Sequence, residues 1–182
     1  MAKDTPKHLG GHQNITHTDQ GALEFMRDDL NCKSMIDVGC DPGGQVRLAR
    51  ELKIDAVGVD GDVNCKPDVL HDFTKGVCTD DVIFRHFDFV WSVEFLEHVE
   101  AKFLPNVISL MTVVTPQYLV ISAAPPKKRG HHHVNCQPST YWIELFANFG
   151  FALDQALTMR LRGASTMKRE FIRARGLVFS RK

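Results

Sequence analysis

A chain of 182 residues that is 43% hydrophobic and 24% charged falls in the soluble globular range, and its length suits a single domain, residues 1–182, with a buried core. No apolar run reaches the ~18 to 20 residues of a membrane span; the longest, 107–122, is interrupted by Ser109, Thr112, Thr115, Pro116 and Gln117, and the first 14 residues carry no apolar signal core. The formal charge of zero hides a split, 11 basic and 19 acidic side chains in residues 1–126 against 11 and 3 in 127–182, which fits either a positive face for an anionic partner or a surface of paired charges.

In chain order, residues 1–33 read as an N-terminal extension: 17 polar, irregular residues, then a front helix. Thr18 is placed to cap that helix, whose Ala22, Leu23, Phe25, Met26 and Leu30 share one face. From residue 34 the pattern alternates. Strands are expected at 34–38, 55–60, 68–73 (weaker), 87–95 and 118–123, with helices at 46–52, 101–114 and 141–149, the last ended by Gly150. Residues 151–161 and 170–180 read as two β-rich stretches with no helix between them. The fold class expected over 34–182 is therefore α/β: a Rossmann-like, doubly wound and mostly parallel sheet of about seven strands. Helices cover both faces, and an antiparallel hairpin closes the C-terminal edge.

Chemistry concentrates after the first strand. In "IDVGCDPGG" (36–44) the glycines at 39, 43 and 44 allow a sharp turn and a close backbone approach to a ligand. Asp60 ends the second strand 23 residues after Asp37, near the ~20-residue offset of a ribose-binding acid. Gly39, Asp60, Asp72 and Ser92 would meet at the carboxyl ends of the strands, where open α/β sheets bind ligands. Asp41 stands where nucleotide loops usually have glycine. It suits a helix cap before Pro42 at the first helical position, or contact with a cationic ligand. It does not suit a pyrophosphate, which it would repel by about 4 kcal/mol per unit charge at about 4 Å and an effective dielectric of about 20.

With these residues in order, the sequence resembles the class I S-adenosylmethionine-dependent methyltransferases. The matching stretches are "DVGCDPGG", "VGVDGD", "HDF" at 71–73, "SVEFLEHVE" at 92–100 and "HHHVNCQPSTYWIELFANFGF" from 131. Departures are Asp41 and a short stretch between the third and fourth strands. The resemblance implies S-adenosylmethionine as cofactor, with S-adenosylhomocysteine as product. Asp37 and Gly39 would hold its methionine end, with Asp41 as a further contact, and Gly43 would give clearance. Asp60, with Gly61 behind it, would bind the ribose, Asp72 the adenine amino group and the Phe73 backbone the ring. Ser92, Val93 and Glu94 would lie beside the sulfonium.

Catalysis of methyl transfer needs placement first, and a base only if the acceptor must lose a proton. His98 and the pair His132 and His133 are the candidate bases. The three adjacent histidines 131–133 are not read as a metal site, because neighbours point different ways and Cys136 completes no recognisable spacing. Tyr141 and Trp142 fit an acceptor pocket or, more simply, core. The acceptor is expected to be a small molecule gripped by the front segment 10–21 and the loop 124–138. The basic run 127–133 leaves RNA or another phosphate-bearing substrate as the alternative, and a binding module without chemistry as a third reading. Five cysteines, odd in number and without a CxxC pair, fit free thiols and a cytoplasmic location.

Overall fold

The computed structural model describes residues 6–11, 15–81, 84–114 and 116–182. Strand β1 (Ser34–Val38) buries Met35, Ile36 and Val38, residues that point to opposite faces, which only a strand covered on both sides can satisfy. It pairs in parallel with β2 (Asp55–Asp60) on one side and β4 (Phe89–Val93) on the other. β3 (Val69–Leu70) lies outside β2; β5 (Tyr118–Ser122) extends the sheet beyond β4. With β6 (Phe151–Leu153) and β7 (Leu177–Arg181) at the far edge, the full order is β3-β2-β1-β4-β5-β7-β6. Strand order therefore reverses between β1 and β4, opening the crevice in which such sheets bind ligands.

Helices α2 (Gly44–Glu51), α3 (Leu104–Val113) and α4 (Ser139–Ala147) form the crossovers. One apolar layer joins Ile36, Val38 and Phe179 to Phe146 and Met111; the other joins Met35, Phe89 and Val178 to Leu23, Met26 and Leu161. Trp142 lies in the first layer, 2% exposed, so the Tyr141–Trp142 pair belongs to the core side of α4. Gly150 takes the expected left-handed backbone, φ 81°. Among the described residues, no helix is long and apolar enough to cross a membrane.

Three local expectations are corrected. The third strand is only two residues long, because Asp72 caps a 3-10 turn at Phe73–Lys75 and ends it. In the connection that follows, Val82 and Ile83 lie outside the described residues, as do His12–Asn14 of the front segment. The C-terminal edge is antiparallel, β6 (Phe151–Leu153) pairing with β7 (Leu177–Arg181), but no hairpin joins the two. Two helices intervene, α5 (Gln155–Ala164) and α6 (Phe171–Arg175). Asp154 accepts the Leu157 N–H at 2.9 Å and starts α5, and the Gln, Ala, Leu, Met and Arg side chains that follow are good helix formers, with Leu157 and Leu161 at helical spacing.

The front helix is capped by Asp19 and not by Thr18. Helix α1 (Gln20–Glu24) runs on as a π-helical turn, Phe25–Asp29. Fully buried, Asp19 accepts the Ala22 N–H at 3.1 Å, the Thr166 N–H at 2.9 Å and the Ser165 hydroxyl, so one carboxylate both starts α1 and fastens it to the end of α5. Asp19→Ala strands these donors in an apolar contact and is expected to destabilise the fold by about 2–4 kcal/mol. Asp19→Asn should cost less, and a shift in the urea midpoint at constant slope is the measurement.

Candidate functional site

The loop after β1 is stitched to β2. The N–H groups of Gly39 and Cys40 donate to Val59 O, and the Asp41 N–H donates to Asp60 Oδ2 at 3.0 Å. Gly39 has φ 80°, and a Cβ there would lie 2.3 Å from the Phe95 ring, so the glycine is required twice over. Asp41 also adopts a left-handed backbone, φ 53°, a conformation that aspartate tolerates better than most side chains. That geometry explains why glycine is usual at this position. It also corrects the capping assignment: α2 begins at Gly44 with Gly43 (φ 73°) as its N-cap, so Pro42 precedes the helix and Asp41 does not cap it.

The strand ends bring most of the expected residues together. Asp60 Oδ1 accepts the Asp62 N–H at 2.8 Å, so Asp60 holds its own turn as well as the glycine loop. A cavity of ≈ 400 Å³ is lined by Gly39, Asp41, Asp60, Glu94, His98 and His133, among others. Beside it, a pocket of ≈ 50 Å³ is lined by Asp60, Gly61, Asp72, Phe73, His98 and His132. Asp37 and Val93 line a third, of ≈ 40 Å³, together with Gly39, Asp41 and Glu94. Ser92 and Gly43 line none of these three. The Ser92 hydroxyl donates to Val38 O at 2.9 Å inside the sheet. Glu94 has φ 54°, and both its oxygens are held, Oε1 by the Ser122 hydroxyl at 2.9 Å and Oε2 by Arg175 at 2.8 Å.

These acids share a small volume. Burial, then the charge of Asp60, pushes Asp41 up to about 8. Burial and the charges of Asp41 and Asp60 push Asp37 well above the usual carboxylate range. Asp72 differs: burial raises it, but hydrogen bonds from Thr74 and from His8, at 3.1 Å, outweigh that and hold it low. A cation placed at the carboxyl end of β1 would favour the charged forms of these acids, whereas a phosphate would oppose them, so the cluster suits a cation.

No family model matches the sequence, and neither does any curated protein. Solved structures do match. The chain superposes on the methyltransferase domain of the bacterial protein CtHen1 with a TM-score of 0.59 and 15% identity, over 88% of this chain and 96% of that one. The sugar N-methyltransferase KedS8 from Streptoalloteichus sp. ATCC 53650 gives 0.63 and 14%, over 90% and 85%. Magnesium protoporphyrin IX methyltransferase from Synechocystis PCC 6803, solved with bound S-adenosylhomocysteine, gives 0.54 and 16%, over 88% and 80%. The fold is that of the class I methyltransferases.

Within this methyltransferase fold the candidate bases separate. His132, with φ 44°, faces the small pocket, 6.3 Å from the His8 ring. His98 and His133 meet edge to face at 4.8 Å. Burial, then the neighbouring His133, pushes His98 down to about 4, a hydrogen bond to the His131 backbone acting the other way. Glu97 joins them. Ligand atoms of Glu97, His98 and His133 lie within 4.8 Å of one another, a grouping open to a metal ion. Glu97 is fully buried; Oε1 accepts the Ala124 N–H at 2.9 Å, while Oε2 has no partner among the described residues. His133 Nδ1 donates to Lys128 O at 3.0 Å, which leaves the lone pair on Nε2. Glu97 was visible in "EFLEH" but carried no signal by itself, because its partner His133 lies 36 residues on.

The raised carboxylates set a pH dependence. A folded-state carboxylate near 8 keeps its proton while the unfolded chain loses it near 4, so the folded state binds more protons in that window and stability falls as pH rises through it. The apo protein should therefore melt at a lower temperature at pH 9 than at pH 6, by about 3–5 °C. Asp41→Asn should flatten that slope, as read by scanning calorimetry.

Proposed function

We propose that the chain is an S-adenosylmethionine-dependent methyltransferase that acts on a hydroxyl group of a phosphate-bearing acceptor. The observation that carries this reading is the continuity of the cavity from the acids of the β1 and β2 ends to Glu97, His98 and His133. The bound cofactor supplies an electrophilic methyl group on a sulfonium. Asp60 suits its ribose hydroxyls, Asp72 its adenine amino group, and the acids beside Gly39 its cationic methionine end. Glu94, held from both sides, fixes the wall between donor and acceptor, so its contribution is placement.

Glu97, His98 and His133 suit a divalent cation of the kind that takes imidazole and carboxylate ligands, and the unpartnered Glu97 Oε2 supports that fit. Such an ion supplies Lewis acidity toward an acceptor oxygen. Lys128 lines the same cavity, and the exposed Lys127 and Arg129 flank it, which favours an anionic acceptor. The neighbouring folds are named for a small RNA, a sugar and a porphyrin, so they do not fix the acceptor, and its class rests on this charge and on the Glu97 group.

Calorimetric titration should show binding of S-adenosylhomocysteine, weakened at least tenfold by Asp60→Ala and only a few-fold by Asp41→Asn; the reverse order would mean the loop is misassigned. Turnover is measured as conversion of labelled donor with nucleotides, short RNA and neutral metabolites as acceptors, with added manganese or chelator. Glu97→Gln should lower it by about 10- to 100-fold with cofactor binding retained. Chelator-resistant turnover would remove the metal, reaction only with neutral acceptors would remove the phosphate, and binding without turnover would leave a binding module.

A further inference from the structure

The proposed cofactor ends in a zwitterion, and the acids of the site answer only half of it. Asp37, Asp41 and Glu94 line the small pocket around Gly39 and suit the ammonium and the sulfonium. The carboxylate of the same methionine tail, placed among them, would be repelled. It needs a cation within reach of Gly39.

Residues 167–175 bring three arginines to this end of the fold. Arg173 is used, donating to Glu170 Oε1 and to Met167 O at 2.6 Å each. Arg175 is used, holding Glu94. Arg169 lines the ≈ 400 Å³ cavity together with His17, Gly39, Asp41 and Glu94, and among the described residues no hydrogen bond or ion pair occupies its guanidinium. His17 stands beside it, its ring edge-on to Phe171 at 5.3 Å, in a half-buried position that lines both this cavity and the pocket of Asp37. Burial, then the Arg169 charge, holds His17 below its ordinary value, with Glu94 opposing, so both charges reach the imidazole. Lys128 also lines the cavity, but from the loop that carries the histidines, where an acceptor would sit.

We infer that Arg169, with the His17 imidazole as a second donor, binds the α-carboxylate of the cofactor's methionine tail. The inference rests on the proposed cofactor and assigns a group that neither the glycine loop nor the strand-end acids can supply. A guanidinium presents two parallel N–H groups to a carboxylate, so it fixes the tail's rotation as well as its charge. Phe171 would keep His17 turned toward the cavity, and the segment before α6 would thereby read the tail from the side opposite the glycine loop.

The test compares S-adenosylmethionine with its decarboxylated form, which keeps the sulfonium and the amine but lacks the carboxylate. Wild-type protein should bind the intact cofactor at least tenfold more tightly. Arg169 is exposed, so Arg169→Ala should fold, which a melting curve verifies. That variant should weaken the intact cofactor about tenfold or more and leave the decarboxylated form within twofold, erasing the preference, and Arg169→Lys should recover part of it. Equal losses for the two ligands, or no loss for the intact one, would overturn the assignment to the carboxylate. If wild-type protein bound neither ligand, the proposed cofactor itself would fail, a result distinct from a retained preference in Arg169→Ala.

Discussion

The carboxylate of Asp60 joins two loops that the chain would otherwise leave independent. By accepting the Asp41 N–H through one oxygen and the Asp62 N–H through the other, it fixes the glycine loop after β1 against the turn after β2. The spacing of β1 and β2 is set by their ladder, and the height of the loop above the sheet by this side chain together with the Gly39 and Cys40 N–H groups that donate to Val59 O. From that height follow the contact of Gly39 with the Phe95 ring, the left-handed backbone of Asp41 and the crowding of three acids into one space. The same geometry that makes the region acidic makes it receptive to a cation.

Three of the seven described non-glycine residues with positive φ, Asp41, Glu94 and His132, border the cavities; the other four lie elsewhere. Such conformations cost of order 1–3 kcal/mol each and persist only where surrounding contacts hold them. For Glu94 the holders are Ser122 and Arg175; for Asp41, Asp60. The site is thus maintained by polar contacts between strand ends, while the apolar layers on the two faces of the sheet carry stability.

Much of the parallel core is legible in the sequence, because a strand buried on both faces must be apolar throughout and a βα turn must carry glycine. Ser34–Val38 and Asp55–Asp60 match their expected limits for that reason. The C-terminal part reads poorly because the strand Phe151–Leu153 is only three residues long and its apolar pattern runs on without a break into Gln155–Ala164, a helix marked by the Asp154 cap and by its helix-forming composition. In the site, residues on consecutive strand ends, Asp37, Asp60 and Asp72, are visible because topology alone brings them together. Glu97 with His133 and His8 with Asp72 are contacts between distant loops, and His17 and Arg169 come to one cavity from opposite ends of the chain, none of which any local spacing records. Asp41 was visible as an anomaly whose cause, a positive φ, belongs to three dimensions.

The order of the strands carries a consequence for how the protein is made. β7 follows β6 in sequence yet lies between β5 and β6 in space, so the sheet cannot close until this strand arrives. Until then β5 exposes an unpaired apolar edge, the kind of surface that templates aggregation. The segment that precedes β7 also delivers Arg169 and Arg175. Completion of the sheet and completion of the pocket are therefore carried by the same stretch of chain, so a change that loosens β7 reaches Arg169 and Arg175 as well.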